Sequence, residues 1–355
     1  MKKLLLLLVL CSLVLIPLAA QDAPPLTADL PTLEDLEPGW NAIEGDEETI
    51  CSRGDDYRFF VRPGASEESR LTVFFEGGGA CWNGLLCGEN GPYKAAVQEE
   101  LDATGPGIFD FEADNNPLAD DHMVFIPYCT ADVFTGANTH EYSSQVTIEH
   151  QGFTNGSYVM DWVFANITAP EQIFLSGSSA GAYGAIMFAP YMMEQYPDAQ
   201  IIQFGDAGVG VTPVGWGPLG TWGIYENMPP FVEGLATTDP ETFTINVLYA
   251  ESAAAYPDQQ FAQFTNVADQ VQIDFYNFST PSPNDWTEEM RQKFAELEMM
   301  DNFSYFVAPG DAHTILGTDR FYTEESDGVL FLDWFNALLA GEPEADVFCE
   351  ECEAE

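Results

Sequence analysis

Basic side chains are scarce in this 355-residue chain. Only 10 Lys and Arg stand against 58 Asp and Glu, which gives a formal net charge of −48 at pH 7. Such a surface repels phosphate backbones and anionic lipids alike, so the sequence argues against nucleic acid as a partner. With 46% hydrophobic and 13% aromatic residues, the composition is nevertheless that of a packed globular protein.

Internal repeats and clear linkers are also absent, which favours one main domain. We predict an acidic, Pro-rich leader over residues 21–45, a single catalytic domain over residues 46–345, and an acidic tail with a Cys-x-x-Cys pair over residues 346–355. We expect a monomer.

The amino terminus has the features of an export signal. Lys2 and Lys3 precede an apolar run over residues 4–18, and the small residues Ala19 and Ala20 follow it. We expect cleavage after residue 20, a secreted or periplasmic location, and no stable membrane insertion of the mature chain. An uncleaved anchor is the alternative, because the apolar run is long for a signal core.

Cysteine is infrequent, and its count is informative. Of the seven cysteines, Cys11 lies inside the predicted signal. The even number that remains in an exported chain favours disulfides over metal ligands. Spacing alone leaves many connectivities open among Cys51, Cys81, Cys87, Cys129, Cys349 and Cys352.

Short apolar runs alternate along the chain with helical patterns. Strands are predicted at Leu71–Phe75, Met123–Ile126, Ile173–Leu175, Ile201–Phe204, Thr244–Tyr249 and Tyr305–Ala308. Helices are predicted at Tyr158–Asn166, Ala182–Tyr191, Thr287–Met300 and Val329–Leu339. This alternation predicts an α/β fold with a mostly parallel central sheet and helices on both faces.

The most informative motif is Gly177-Ser-Ser-Ala-Gly181, which lies between a predicted strand and a predicted helix. A Gly-x-Ser-x-Gly turn in this context is typical of a nucleophile elbow, in which a strained backbone presents the serine at the end of a strand. The two glycines leave room where the chain passes close to itself. We therefore predict Ser179 as a nucleophile in an α/β-hydrolase-like domain.

A glycine run follows an earlier strand, in Glu76-Gly-Gly-Gly79. Backbone amides in such a loop can stabilise the oxyanion that forms during acyl transfer. We predict that the amides of Gly78, Gly79 and Ala180 form this oxyanion hole. A phosphate-binding loop is the alternative, but the run lacks the Gly-Lys-Ser/Thr ending of such loops.

Histidine is rare, so few residues can serve as the general base that a serine nucleophile requires. His313 follows the last long predicted strand, where the chain order of a hydrolase places the base. His122 begins a strand and is expected to be structural. His140 and His150 lie in a region that could line the cleft and stay weaker candidates.

The acid that orients the base is expected between Ser179 and His313. Asp258 is the best-placed candidate, because it follows the predicted strand Thr244–Tyr249. Asp206 also follows a predicted strand and is its rival.

Four motifs in this order resemble the pectin acetylesterase/Notum family. They are Glu76-Gly-Gly-Gly-Ala-Cys-Trp82, Ile126-Pro-Tyr-Cys-Thr-Ala-Asp-Val-Phe-Thr-Gly136, Gly177-Ser-Ser-Ala-Gly181 and Asp311-Ala-His313. The resemblance implies an α/β-hydrolase-type carboxylesterase with Ser179, Asp258 and His313 as its triad. It also implies disulfides Cys51–Cys129 and Cys81–Cys87, which leaves Cys349 and Cys352 to pair with each other.

We therefore predict a secreted serine carboxylesterase that removes acyl groups, foremost acetyl, from a substrate such as an acylated carbohydrate. No metal or organic cofactor is required by this chemistry. A fatty-acyl deacylase is the alternative, because five apolar residues could form a pocket wall. These are Trp216, Trp222, Tyr225, Met228 and Phe231. A peptidase using the same triad and a secreted binding protein without activity are further alternatives.

Overall fold

The computed structural model describes residues 30–65, 70–102, 104–281, 283–342, 345–349 and 352. The predicted export signal lies outside the described residues. The strands are β1 (Asn41–Glu44), β2 (Arg58–Arg62), β3 (Arg70–Phe75), β4 (His122–Ile126), β5 (Asn138–Ser143), β6 (Val146–His150), β7 (Gln172–Ser178), β8 (Gln200–Asp206), β9 (Gln260–Asn266), β10 (Phe303–Ala308), β11 (Glu325–Ser326), β12 (Val329–Leu330) and β13 (Val347–Phe348).

The helices alternate with these strands. They are α1 (Gly152–Asn166), α2 (Ala180–Gln195), α3 (Gly217–Trp222), α4 (Glu233–Ala236), α5 (Ile245–Ala255), α6 (Gln270–Ser279), α7 (Trp286–Leu297) and α8 (Phe331–Leu339). Short 3-10 helices cover Leu33–Asp35, Gly107–Phe109, Ile224–Asn227 and Asp319–Tyr322.

In the described part of the chain, nine strands form one central sheet in the order β1-β2-β4-β3-β7-β8-β9-β10-β13. β1 and β2 pair antiparallel, as do β2 and β4. Every pair from β4 to β13 is parallel. The carboxyl ends of β3, β7, β8, β9 and β10 therefore lie along one edge of the sheet, where ligands bind in open α/β sheets.

Both faces of the sheet are covered. In β7, Ile173 and Leu175 join one apolar cluster with Trp162 of α1, whereas Phe174 joins a second cluster with Phe335 of α8. Successive residues of a strand point to opposite faces, so near-continuous apolar strands require cover on both sides. The predicted mostly parallel α/β fold is confirmed.

The sheet extends beyond both ends of the predicted domain. β1 lies inside the segment that the sequence assigned to a leader, and it pairs with β2 through Asn41 opposite Val61. β13 lies in the predicted tail and pairs with β10 through Phe306 opposite Val347. The edges of the sheet thus come from segments outside residues 46–345.

One predicted strand is wrong. Thr244–Tyr249 is not a strand, because Thr244 is the N-cap of helix α5. The strand instead runs over β9, which the sequence did not predict, since three glutamines and asparagines interrupt its apolar pattern. This shift of one element moves the loop that contains Asp258 to the other end of the sheet.

The structure pairs Cys51 with Cys129 and Cys81 with Cys87, the pairs that the resemblance implies. Cys349 pairs with Cys352. Among the described residues, the helices are too short or too polar to cross a bilayer.

Every Lys and Arg from Arg53 onward contacts another group of the fold. The contacts are Arg53 with the Cys87 and Gly88 carbonyls, Arg58 with Glu44, Arg62 with the Ala119 carbonyl and the Phe111 ring, Arg70 with Asp121, Lys94 with Glu76, Arg291 with the Phe348 ring, Lys293 with Glu296, and Arg320 with Glu324.

Candidate active site

Ser179 lies at the turn between β7 and α2, with φ 55° and ψ −122°. Left-handed backbone in a non-glycine residue is strained and persists only where its surroundings fix it. The flanking glycines allow this turn, because a Cβ on Gly177 would meet the Gly181 carbonyl and a Cβ on Gly181 would meet the Phe75 carbonyl. The Ser179 amide donates to the Asp206 carbonyl at 2.7 Å. Ser179 thus has the geometry of a nucleophile elbow.

His313 lies in the loop after β10, here called the base loop (residues 309–318). Its Nδ1 lies 3.0 Å from Oδ1 and 2.9 Å from Oδ2 of Asp269. Because a carboxylate accepts, Nδ1 carries the hydrogen and Nε2 is left as the basic nitrogen. Ser179 and His313 line the same pocket. In the described part of the chain the Ser179 hydroxyl makes no hydrogen bond. Catalytic hydrogen bonds are often long in a free enzyme and tighten when substrate binds.

The structure corrects the choice of Asp258 as the acid. Asp258 is exposed in the turn between α5 and β9, at the amino end of the strand. Ser179 and His313 follow the carboxyl ends of β7 and β10. Because these strands are parallel, Asp258 lies at the edge of the sheet opposite Ser179 and His313.

Asp269, and not Asp258, lies beside the His313 imidazole. It follows β9, is fully buried, and forms the N-cap of α6, where its Oδ1 accepts from the Gln272 amide at 3.1 Å. The Gln272 side chain also donates to its Oδ2 at 2.9 Å. The sequence signal for Asp269 is an acidic N-cap just beyond a strand, and it was missed because β9 was missed.

Asp206, the rival candidate, is buried but does not contact the imidazole. Its carboxylate accepts hydrogen bonds from the Ser178 hydroxyl and from the Ile315 and Leu316 amides. Burial raises the pKa of Asp206 to about 6, although the hydrogen bonds from Ser178, Leu316 and Ile315 oppose this rise.

The glycine-rich loop lies against the nucleophile. A Cβ on Gly77 would lie 2.8 Å from the Ser179 Cβ. Gly79 has φ 74° and lines the pocket together with Ala180. Ala180 is the first residue of α2, where backbone amides lack partners inside the helix. Gly78 is not among the lining residues, and a Cβ there would meet the Tyr128 ring.

An ion pair holds this loop in place. The Lys94 ammonium donates to both carboxylate oxygens of Glu76, at 2.8 and 2.6 Å. Glu76 also accepts from the Tyr128 amide at 3.0 Å, and the Lys94 amide donates to the Gly78 carbonyl at 2.8 Å. The predicted oxyanion loop is therefore tied at both ends to the chain around it.

The pocket is mainly apolar and aromatic. Its empty volume, including the mouth, is about 700 Å³. Trp216 and Trp222 of the predicted apolar wall line it, whereas Tyr225, Met228 and Phe231 are not among its described lining residues. Further aromatic side chains in the wall, which the sequence did not predict, are Trp82, Tyr183, Phe275, Tyr276 and Trp286.

The other histidines do not line this pocket. His150 is fully buried, with Nδ1 3.0 Å from the Thr130 carbonyl and Nε2 2.9 Å from the Tyr142 hydroxyl. Burial lowers its pKa to about 4. His122 accepts from the Gly64 amide, and His140 packs against the Tyr142 ring. Among the described residues, no three His, Cys, Asp or Glu side chains are grouped to hold a metal ion.

Solved structures with the same architecture include the Wnt deacylase Notum from Drosophila in two crystal forms. One has a TM-score of 0.65 at 16% identity and covers 89% of this chain and 97% of that chain. The other has a TM-score of 0.62 at 17% identity and covers 89% and 99%. At this identity the likeness concerns the fold alone.

Curated relatives are similar over a shorter segment. The palmitoleoyl-protein carboxylesterase NOTUM of Homo sapiens is 27% identical over 172 residues, which are 44% of this chain and 34% of the relative. The Mus musculus protein of the same name is 26% identical over 172 residues, which are 44% of this chain and 33% of the relative. The matched segment thus spans about a third of the length of these relatives.

A family model described as Pectinacetylesterase matches residues 38–213. This segment contains the glycine-rich loop and Ser179 and ends before Asp269 and His313. Together with the relatives and the shared fold, the match confirms the resemblance seen in the four motifs. These findings support the pectin acetylesterase/Notum family as the family of this chain.

Proposed function

We propose that this protein is a secreted serine carboxylesterase with Ser179, His313 and Asp269 as its triad. The observation that carries the proposal is the pairing of His313 Nδ1 with the buried Asp269 carboxylate, beside a pocket that also exposes the strained Ser179. A nucleophile, a base and an orienting acid on three parallel strand ends are the parts of an acyl-transfer site.

The reaction follows from this arrangement. His313 Nε2 accepts the Ser179 proton as the hydroxyl oxygen attacks the ester carbonyl, and Asp269 stabilises the imidazolium. The amides of Gly79 and Ala180 stabilise the oxyanion. The intermediate collapses when the imidazolium protonates the leaving alcohol. Water then attacks the acyl-enzyme with the same base and releases the carboxylic acid.

The first test is hydrolysis of p-nitrophenyl esters together with labelling by a fluorophosphonate. We expect Ser179→Ala to lower kcat by about 10⁴ or more and to abolish labelling. Ser178 remains in this variant as an internal control for non-specific reaction with a neighbouring hydroxyl. Labelling of Ser179→Ala, or retention of half the activity, contradicts the mechanism. Lack of hydrolysis by the wild-type chain, with intact folding, favours the inactive binding protein.

The pocket supports a proposal about the acyl group. Aromatic rings from several segments of the chain line the pocket, and they offer more apolar surface than an acetyl group can contact. Apolar surface favours longer acyl chains by about 0.8 kcal/mol per buried CH₂. We therefore propose that the enzyme accepts acyl chains longer than acetate. Acetyl esters of carbohydrates, which the family name indicates, are the second candidate.

Phe275 and Phe278 allow a matched test of this point, since both lie on α6. Phe275 lines the pocket, whereas Phe278 is 54% exposed and packs on Phe275 from outside. We expect Phe275→Ala to lower kcat/KM for a p-nitrophenyl octanoate by about 10- to 100-fold and to change acetate hydrolysis little. Phe278→Ala is the control. Equal losses for both esters favour the short-acyl candidate, which acetate release from acetylated xylan and pectin then tests directly.

A further inference from the structure

Asp206 has no role in the mechanism above, yet it makes hydrogen bonds to two segments of the site. One is the turn that contains Ser179, and the other is the base loop that contains His313. On the nucleophile side, its carbonyl accepts from the Ser179 amide at 2.7 Å and its Oδ2 accepts from the Ser178 hydroxyl at 2.5 Å. On the other side, the carboxylate accepts from the Ile315 amide at 2.9 and 3.1 Å and from the Leu316 amide at 3.0 Å. One residue therefore links the nucleophile elbow to the base loop.

Three non-glycine residues with positive φ lie at or next to these bonds. Ser179 has φ 55°, Ala207 has φ 55° and Thr314 has φ 65°. Each of these residues is next in sequence to a group in the Asp206 network or belongs to it. Strained conformations of non-glycine residues persist only where the surrounding structure fixes them. The Asp206 network supplies this constraint at Ser179 itself and at Thr314, which directly follows His313.

The chemistry of the side chain matches this task. A carboxylate accepts with two oxygens and donates nothing, so it can satisfy the Ser178 hydroxyl and both loop amides at once. Asp206 is 0% exposed, so water does not replace any of these partners. An amide side chain has a single acceptor oxygen and would turn its NH₂ group toward one of the donors.

We propose that Asp206 is a positioning residue that holds Ser179 and His313 in register across the carboxyl edge of the sheet. The proposal rests on the proposed esterase function. It differs from the role of Asp269, because the described hydrogen bonds of Asp206 go to the segments around the reacting groups and none goes to the imidazole. A purely structural buried carboxylate would contribute to stability without affecting the chemical step.

Asp121 provides a matched control for that distinction. It is a 2% exposed carboxylate that accepts from the Thr72 hydroxyl at 2.9 Å and pairs with Arg70, at the amino end of the sheet. We expect Asp206→Asn to lower kcat by about 10- to 100-fold with KM within about twofold, because misplacement by about 1 Å is enough for such a loss. Asp121→Asn, with a similar loss of Tm, keeps kcat within about twofold. An Asp206→Asn enzyme with more than half of the wild-type kcat overturns the proposal.

A milder pair of variants keeps the test decisive if Asp206→Asn does not fold. Ser178→Ala removes only the hydroxyl on the nucleophile side. Its control is Ser326→Ala, which removes a buried hydroxyl that donates to the Val307 carbonyl at 2.8 Å. We expect Ser178→Ala to lower kcat by about three- to tenfold and Ser326→Ala to leave it unchanged. Equal kcat values in the two variants overturn the proposal.

Amide hydrogen exchange separates this proposal from the esterase assignment. We expect faster exchange in Asp206→Asn, or in Ser178→Ala, over both residues 177–182 and the base loop, with neither segment affected in Asp121→Asn. Faster exchange in one segment alone overturns the linking role. A wild-type protein that hydrolyses no ester ends the proposed function, whereas the exchange pattern still decides whether Asp206 joins the two segments.

Discussion

The imidazole Nδ1 of His313 lies 2.9 Å from the carboxylate of Asp269, 44 residues earlier in the chain. This contact joins the N-cap of α6 to the base loop and fixes which ring nitrogen is free. We expect Asp269→Asn to lower kcat by about 10⁴, because an amide at this position favours the wrong tautomer of the base. Hydrolysis of a p-nitrophenyl ester measures the effect. Asp258→Asn, in its exposed turn, is the control and keeps full activity; a larger loss there would restore Asp258 as the acid.

Gly77 supports a prediction about the fit between the glycine-rich loop and the elbow. A Cβ at this position would lie 2.7 Å from the Ser178 carbonyl oxygen and 2.8 Å from the Ser179 Cβ. We expect Gly77→Ala to displace the loop and to lower kcat by about 10²-fold. Gly217→Ala is the control, since an added Cβ there meets no atom within 4 Å. Kinetics and Tm of both variants measure the effect, and a fully active Gly77→Ala enzyme would contradict the close approach.

The disulfides predict a contrast between stability and activity. Cys51 and Cys129 are 78 residues apart, whereas Cys81 and Cys87 are 6 apart. Loop entropy predicts a loss of about 4–5 kcal/mol for the double Ala variant of the first pair and about 2 kcal/mol for the second. The second loop adjoins the pocket, because the Trp222 indole donates to the Cys81 carbonyl at 3.1 Å.

We therefore expect the Cys81→Ala, Cys87→Ala double variant to show the larger loss of kcat/KM. We expect the Cys51→Ala, Cys129→Ala double variant to show the larger loss of free energy of unfolding. Urea unfolding and ester hydrolysis measure the two quantities. The same ranking of both variants in both assays would contradict the separate roles.

His150 predicts a pH-dependent part of the stability. Its folded-state pKa is lowered to about 4, whereas an unfolded histidine titrates near 6.5. As the pH falls below 6.5, His150 binds a proton in the unfolded chain but stays neutral in the folded chain. The free energy of unfolding therefore decreases until about pH 4, where the folded chain is protonated as well. Full linkage amounts to about 3 kcal/mol. Asp132 and Asp206 change the free energy of unfolding in the opposite direction as the pH falls. Burial raises their pKa values to about 6, so the folded state binds protons at these carboxylates before the unfolded state does.

The change in the free energy of unfolding of the wild type with pH is thus a sum of opposing contributions. The contribution of His150 is isolated by comparing His150→Asn with the wild type at each pH. We expect the stability deficit of His150→Asn to be largest at pH 7.5 and to shrink by about 3 kcal/mol at pH 4. Urea unfolding over this pH range measures it. His140→Asn is the control, and a His150→Asn deficit that does not change with pH would refute the assignment.

Much of the fold follows from local pattern. β3, β7 and β10 are apolar runs that both faces of a covered sheet require, and the sequence predicts their ends to within three residues. The elbow is predictable for a related reason, since few sequences other than Gly-x-Ser-x-Gly tolerate the backbone of Ser179. These features depend on residues close together in the chain.

The proposed acid, Asp269, could not be predicted in the same way, because its position depends on which segment becomes a strand. The run after Thr244 is apolar and rich in β-branched residues, yet it forms α5, since a short buried run is compatible with either structure. β9 contains Gln260 and Gln263, which conceal its strand character. Once β9 is placed, Asp269 follows the same sheet edge as Ser179, and Asp258 falls on the far edge.

Every Lys and Arg from Arg53 onward already contacts another group of the fold. This affects how the protein would meet an anionic polymer. A polymer with fixed carboxylates meets a strongly negative surface on which each described ammonium or guanidinium group already contacts another group of the fold. Mobile counterions therefore have a large part in screening the approach. Added salt compresses that layer and shortens the range of repulsion. For such a substrate, association would therefore quicken as ionic strength rises, the reverse of electrostatic steering.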